Sequence, residues 1–217
     1  MTRYKTMTEI AVEYLREKIL MGELPKEAKL VPAKLESEIN VGKVAIREAI
    51  RELAGSGLVV SYPNKGTYVA MPPLAEEVKY IFQCRSVLEG ILVYQATLKI
   101  SKEEYEELKS LNDKMISTGS PKKFFLYNQK FHLKLCAISE CKYLLNLAKQ
   151  LTDQILLYRS ANVIKPTDKT IRDEFCEYHR KILEAIDSKD PEKARLAIIE
   201  NLDSGCKHLL DKIEDGK

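Results

Sequence analysis

The 217-residue sequence predicts a mainly α protein in two parts: a small head of three helices and a β-hairpin, then an all-α bundle of six helices. Three observations predict it. The stretch Asn40 to Leu58, NVGKVAIREAIRELAGSGL, carries apolar residues on one helical face and cations on another. Two short β-branched runs follow it, separated by Pro63-Asn64-Lys65-Gly66. Beyond Met71-Pro72-Pro73-Leu74 the apolar pattern is helical to the end of the chain.

The head opens with Thr6 to Met21, where Ile10, Tyr14, Leu15, Ile19 and Leu20 recur near a period of 3.6 and Gly22 offers a C-terminal cap. Lys29-Leu30-Val31 is a short extended piece. Pro32 opens a second helix, Pro32 to Ile39, with Leu35 and Ile39 inward. Asn40-Val41-Gly42 is a tight connection into a third helix that starts near Gly42. There Ile46, Ala49, Ile50 and Leu53 form a buried stripe, while Lys43, Arg47 and Arg51 recur at steps of four on another face. Two short helices so closely joined read as a helix-turn-helix.

A row of cations opposite a buried stripe suits a groove of DNA: phosphates attract the charge, and the guanidinium fork matches the O6/N7 edge of guanine. The plainer alternative is a solvated basic face, broken by Glu48 and Glu52. Leu58 to Tyr62 and Thr67 to Ala70 read as the two strands of a wing, with Lys65 and Gly66 at its tip. Arg47 is then expected to read bases with Lys43 beside it, and Lys34, Arg51, Lys65 and the backbone at Gly66 to hold phosphates.

These residues carry a family resemblance. Tyr14-Leu15-Arg16, Ile19, Gly22, IREAIRELAGSGLV and NKGTYV, spread over residues 8 to 70, resemble the winged helix-turn-helix of the GntR family of bacterial transcription regulators. Two stretches depart from the family pattern. Gly42-Lys43-Val44-Ala45 stands where Ser-Arg-Thr-Pro is usual, and Val31-Pro32-Ala33-Lys34 where Ser-Glu-Arg or Ser-Glu-Lys is usual. The resemblance therefore implies a different operator, or a sensor with weakened DNA binding as the alternative.

Two prolines end the head, since neither continues a strand or donates to a ladder; the expected domains are 1–71 and 72–217. The six body helices are expected at about Ala75–Lys99, Lys102–Thr118, Pro121–Ser139, Tyr143–Asn162, Thr170–Ser188 and Pro191–Ile213. Turns as short as Ser188-Lys189-Asp190 make neighbours antiparallel. Such a body resembles the FCD-type effector domain in its shorter, VanR-like six-helix branch. That resemblance implies a homodimer on a two-fold, pseudo-palindromic operator in double-stranded DNA, controlled by a small organic acid.

In a bundle, a polar residue on an apolar stripe needs explaining, because burying it unpaired costs a few kcal/mol. Arg85 interrupts the stripe Val78, Ile81, Leu88, Leu92; it reads either as half of an internal pair with Glu89 or as a receptor for a carboxylate effector. Asn128 and His132 lie one turn apart among Phe124, Phe125, Phe131 and Leu135. His179 sits among Phe175, Ile182, Leu183 and Ile186, and Asn201 among Ala197, Ile198, Leu202 and Gly205. Taken singly each reads as a satisfied core residue; together they suggest a shared polar cavity. Tyr158 and Arg159 end the apolar face Leu144, Leu147, Leu151, Ile155 and are further candidates for the cavity wall.

Many FCD domains hold a divalent metal, zinc or nickel, through an Asp and a His four apart and a His on each of two later helices. The resemblance places His132 and His179 at two of those positions, but Asn128 and Asn201 at the others. Asparagine is a poor ligand for such ions, so the expectation is a surviving cavity with a weak or absent metal. His208 lies seven residues past Asn201, about 10 Å along the axis, too far to substitute.

Composition narrows the rest. Hydrophobic content of 45% with 31% charge is that of an ordinary globular chain, and a net charge of +3 does not by itself argue for nucleic acid. No apolar run is long enough for a bilayer and Met1 to Leu20 is too charged for a signal peptide, so a cytoplasmic protein without a membrane partner is expected. Cys84, Cys136, Cys141, Cys176 and Cys206 form no C-x-x-C pair and read as buried thiols in a reducing compartment. No H-E-x-x-H, nucleophile elbow or phosphate loop is present, so a metal-assisted enzyme is the remote alternative and no catalytic residue is expected.

Overall fold

The computed structural model describes residues 4–162 and 169–215. The chain divides into two compact units, residues 1–73 with 153–163, and residues 74–152 with 164–217.

The first unit contains α1 (Met7–Leu20), β1 (Lys29–Leu30), α2 (Pro32–Ile39), α3 (Lys43–Gly55), β2 (Val59–Tyr62) and β3 (Gly66–Val69). A capping box starts α1: the Thr6 hydroxyl accepts from the Glu9 amide at 3.1 Å and Glu9 accepts from the Thr6 amide at 2.8 Å. Pro32 is the first helical residue of α2, and Asn40 ends it in the left-handed region at φ 55°. Gly42 then caps α3, so a three-residue link turns the chain from one helix into the next. Ile46, Ala49, Ile50 and Leu53 are buried, facing a core built with Leu15 and Ile19 of α1.

The strands form an antiparallel sheet in the order β1-β3-β2. Lys29-Leu30 thus adds a strand to the outer side of the hairpin, with Lys29 opposite Tyr68 and Leu30 opposite Thr67. At the hairpin tip Asn64 has φ 61° and Gly66 φ 103°. An added Cβ at Gly66 would meet the Lys29 side chain at 3.2 Å. Within this unit Arg16 Nε donates to Asp153 Oδ2 at 3.0 Å, and Gln154 Nε2 donates to the Ser56 carbonyl at 3.1 Å.

The second unit contains α4 (Ala75–Thr97), α5 (Lys102–Ser117), α6 (Pro121–Ile138), the first half of α7 (Lys142–Ala161), α8 (Lys169–Asp187) and α9 (Pro191–Asp215). α4 packs on α6 and α9, α8 on α9, and α5 on α6 and α8. Gly90 lets α9 come close, since an added Cβ would lie 3.3 Å from Ile199 Cδ1 and 3.4 Å from Arg195 Cγ.

Two expectations are corrected. Ile81 and Leu88 are half-buried, and the inner face of α4 is instead Val78, Phe82, Arg85, Glu89, Leu92 and Ala96. Of the cysteines, Cys136 is buried, whereas Cys84 and Cys141 are exposed and Cys176 and Cys206 are intermediate. No described helix is long and apolar enough to cross a membrane.

Asn40 tolerates the left-handed conformation that turns α2 into α3, and glycine tolerates it better. Asn40→Gly is expected to leave stability within a few tenths of a kcal/mol, and Asn40→Val to lose about 1–2 kcal/mol. Urea unfolding of the two variants measures the difference.

Candidate nucleic-acid interface and buried polar cluster

Lys34, Lys43, Arg47, Arg51, Lys65 and Gly66 are all exposed on the first unit. Lys43 is the first residue of α3, and Lys43, Arg47 and Arg51 follow one line along the side of that helix away from its buried stripe. The cations differ in what already holds them. Arg51 Nη1 donates to both Glu48 oxygens at 2.8 Å, so part of its charge is satisfied within the helix. Val44 is 74% exposed beside Lys43, an apolar group where a thymine methyl could be met. Lys29 was not singled out from the sequence; its ammonium lies 5.7 Å from the Tyr68 ring centre, and its stem reaches Gly66. A cross-strand neighbour leaves no signal in local spacing.

The second unit contains a cluster of buried polar side chains. Glu89 is fully buried and accepts from Arg85 Nε at 2.7 Å and from His132 Nδ1 at 2.7 Å. Burial would raise its pKa, but the Arg85 charge and then His132 outweigh burial and hold it down at about 2. Arg85 therefore forms the internal ion pair. The expectation of a free carboxylate receptor at Arg85 is corrected: its charge is already spent on Glu89. An ionised carboxylate only accepts, so His132 Nδ1 donates to Glu89, and Nε2 is the ring nitrogen left without a partner. Beside them, burial and Glu89 push the Cys136 thiol well above its usual range, with Arg85 opposing.

His179 is also fully buried; its ring stacks on Phe131 with centres 4.0 Å apart and meets His132 edge-on at 5.4 Å. Burial, then His132, keep its pKa well below the ordinary value. Asn201 lies level with it. α8 and α9 run antiparallel, and the Phe175 ring lies 3.6 Å from where a Gly205 Cβ would be. One turn further along each helix brings His179 opposite Asn201. Phe82 of α4 makes a similar approach to Gly205, which puts Ser86 at the level of Asn201 as well. Several buried polar atoms here have no hydrogen-bond partner: Ser86 Oγ, Asn128 Oδ1, His132 Nε2, both His179 nitrogens and Asn201 Nδ2. Ser86 and Glu89 were not singled out as site residues, although Glu89 follows Arg85 by one turn.

Tyr158 and Arg159 are buried in the part of α7 that belongs to the first unit. A surface groove of about 710 Å³ between α5 and α8, lined by Asn112, Phe124, Arg172 and Arg180 among others, contains none of the cluster residues.

Two family models account for most of the chain. Residues 7–69 match the gntR family of bacterial regulatory proteins, and residues 80–204 match the FCD domain. This is a GntR-family transcriptional regulator with an FCD effector-binding domain. The regulator is 28% identical to the uncharacterized HTH-type transcriptional regulator YdhC of Bacillus subtilis over 94% of this chain and 91% of YdhC. It is 27% identical to the "Probable D-xylose utilization operon transcriptional repressor" of Paenarthrobacter nicotinovorans, over 86% and 81% of the two chains. Among solved structures, Escherichia coli McbR/YncC superposes with a TM-score of 0.80 at 21% identity, covering 97% of this regulator and 100% of that chain, a likeness of fold.

The divalent metal found in many FCD domains does not fit this regulator's residues. Among the described residues no three His, Cys, Asp or Glu side chains are grouped to hold one. At the four positions the resemblance implies, the atoms without a partner belong to two imidazoles and two carboxamides, and that of Asn201 is its NH₂, a donor that cannot ligate. Glu89, the nearby anion, is taken by Arg85 and His132. His208 does not fill the gap, since its Nε2 lies 3.0 Å from Glu174.

Two outcomes follow. Protein prepared without added salts is expected to lack stoichiometric zinc or nickel by elemental mass spectrometry, and Asn128→Asp with Asn201→His to gain about one ion per chain. His179 is held neutral in the fold, whereas the unfolded ring protonates below about 6.5. Its stabilising contribution is thus complete above that pH and is lost as pH falls, at up to about 1.4 kcal/mol per unit. His179→Phe, which keeps the stack on Phe131, should flatten that slope in urea unfolding between pH 7.5 and 5.5.

Proposed function

We propose that this regulator binds a pseudo-palindromic operator as a homodimer, with α3 in the major groove and the β2–β3 wing on the backbone. The observation that supports it is the exposed line of Lys43 and Arg47 on a helix whose opposite face is buried core. Arg47 lacks a competing partner among the hydrogen bonds along α3 and is the base reader, bidentate to a guanine edge; Lys43 lies one turn before it. Lys34, Lys65 and the backbone at Gly66 hold phosphates, with Lys29 beside them. Arg51, paired with Glu48, contributes less than spacing suggests.

The effector site is the cluster of Asn128, His132, His179 and Asn201, with Ser86. Its unpartnered atoms include His132 Nε2, an acceptor at Asn128 Oδ1, a donor at Asn201 Nδ2, and one donor and one acceptor on neutral His179. A hydroxyl both donates and accepts, so a small hydroxylated molecule matches this set better than the organic acid that a free Arg85 would receive. The relative whose name specifies D-xylose utilization is in keeping with that chemistry. Effector acts by preferring one arrangement of the dimer over another, and it changes DNA affinity by no more than that preference.

Arg47→Ala should weaken binding to the chain's own upstream DNA by about 1–3 kcal/mol and relax sequence preference, whereas Lys65→Ala should weaken all sequences alike and reduce the salt slope by about one. Fluorescence anisotropy across a salt series reads both. Unchanged binding by the Arg47 variant would reject this docking and leave a sensor with little operator function.

A further inference from the structure

The start of α3 holds two residues that the fold does not require. Gly42 caps the helix at φ −60°, a conformation open to any residue, and an added Cβ there would meet nothing within 4 Å. It supplies no side chain to accept from the first-turn amides, which Ser, Asp or Asn would do. Val44, the second helical residue, is 74% exposed, whereas Ile46, Ile50 and Leu53, the other large aliphatic residues of α3, are buried. A β-branched side chain left in water serves neither the core nor the helix. Both residues stand beside the base reader. Val44 precedes Arg47 by three residues, which makes the two side chains neighbours on the helix surface, with Cβ atoms about 5–6 Å apart. Glu48, one turn past Val44, is drawn along the helix to Arg51 at 2.8 Å. Successive nucleotides of a strand rise by about 3.4 Å, so a side chain beside Arg47 meets the pair next to the guanine or the one after it. The apolar group that base edges display in the major groove is the C5 methyl of thymine.

We propose that Val44 is a specificity residue that reads a thymine methyl, one or two base pairs from the guanine held by Arg47, in each half-site of the operator. The proposal rests on the docking of α3 given above and adds a base to what that docking specifies. An isopropyl group has no donor or acceptor. It therefore favours thymine by taking the methyl out of water, and disfavours the other bases, whose polar edges it would cover without a partner. Gly42 contributes by having no side chain to hold the start of the helix away from the base pairs. Together the two account for residues that cost the free protein a cap and an exposed aliphatic group.

The full chain is used to select duplexes from a randomised pool, and fluorescence anisotropy then compares the selected operator with copies in which uracil replaces each thymine in turn. That exchange removes the methyl and nothing else. At the thymine that Val44 meets, it should weaken binding about fourfold in one half-site and about fifteenfold in both. Val44→Ala removes no packed group, so its thermal melt should match wild type; it should bind the thymine operator more weakly and no longer distinguish thymine from uracil. A wild type indifferent to uracil at every position would overturn the inference, and so would a Val44→Ala protein that keeps the wild-type preference. In either case weakened binding by Arg47→Ala would leave the docking of α3 intact. Binding unchanged by both Arg47→Ala and Val44→Ala, or a pool that yields no duplex, would overturn the docking and the inference together.

Discussion

The second unit is organised by a buried carboxylate. Glu89 is fully buried, and an isolated charge there would cost several kcal/mol. It remains ionised because Arg85, one turn earlier on the same helix, and His132, on α6, both donate to it. This arrangement fixes more than charge. It ties α4 to α6, sets which nitrogen of His132 donates, and leaves Nε2 as the one without a partner. His179 is then held by stacking on Phe131 and by proximity to His132 rather than by a hydrogen bond. The cluster is thus tied down on the Glu89 side, and the polar atoms on its other side are those the proposed effector would meet.

The first unit solves a different problem with the same means. α3 is short, and its buried stripe leaves a narrow outer strip for function. Lys43 and Arg47 share that strip with Val44, so cationic and apolar groups are offered together at the start of the helix, where a recognition helix meets base edges. Arg51, two turns in, is neutralised by Glu48 and helps support the helix more than it projects charge. Along the line the free charge is concentrated toward the N-terminal end.

Much of this was legible in the sequence, for local reasons. Thr6 with Glu9, Pro32, Gly42, Ser101 with Glu104 and Pro121 are caps or first-turn residues whose chemistry acts within one turn, so helix starts fall close to where those residues put them. The failures come from faces and distances. On α4 two apolar stripes overlap at helical spacing, and periodicity does not say which one faces the core; Ile81 and Leu88 fall between the two. Lys29 meets the wing through a strand pairing across nearly forty residues of chain, which no window of local sequence reports.

The exchange of metal ligands for asparagines has a consequence for selectivity. A divalent ion would draw in any small carboxylate by charge, with little regard to the rest of the molecule. Two carboxamides carry no charge, and each donor and acceptor of the carboxamides and imidazoles is directional. A ligand must then match the pattern of lone pairs and protons or leave buried groups unpaired, at a cost of about 1–3 kcal/mol for each mismatch. A site with one unmatched group already discriminates roughly tenfold or more by that arithmetic. Because effector control is limited to the difference in affinity between two arrangements of the protein, a site built of directional groups can generate that difference from small displacements of α6, α8 and α9. In the proposed effector site, neutral residues at positions 128 and 201 would therefore give up affinity from charge and gain sensitivity to the ligand's shape.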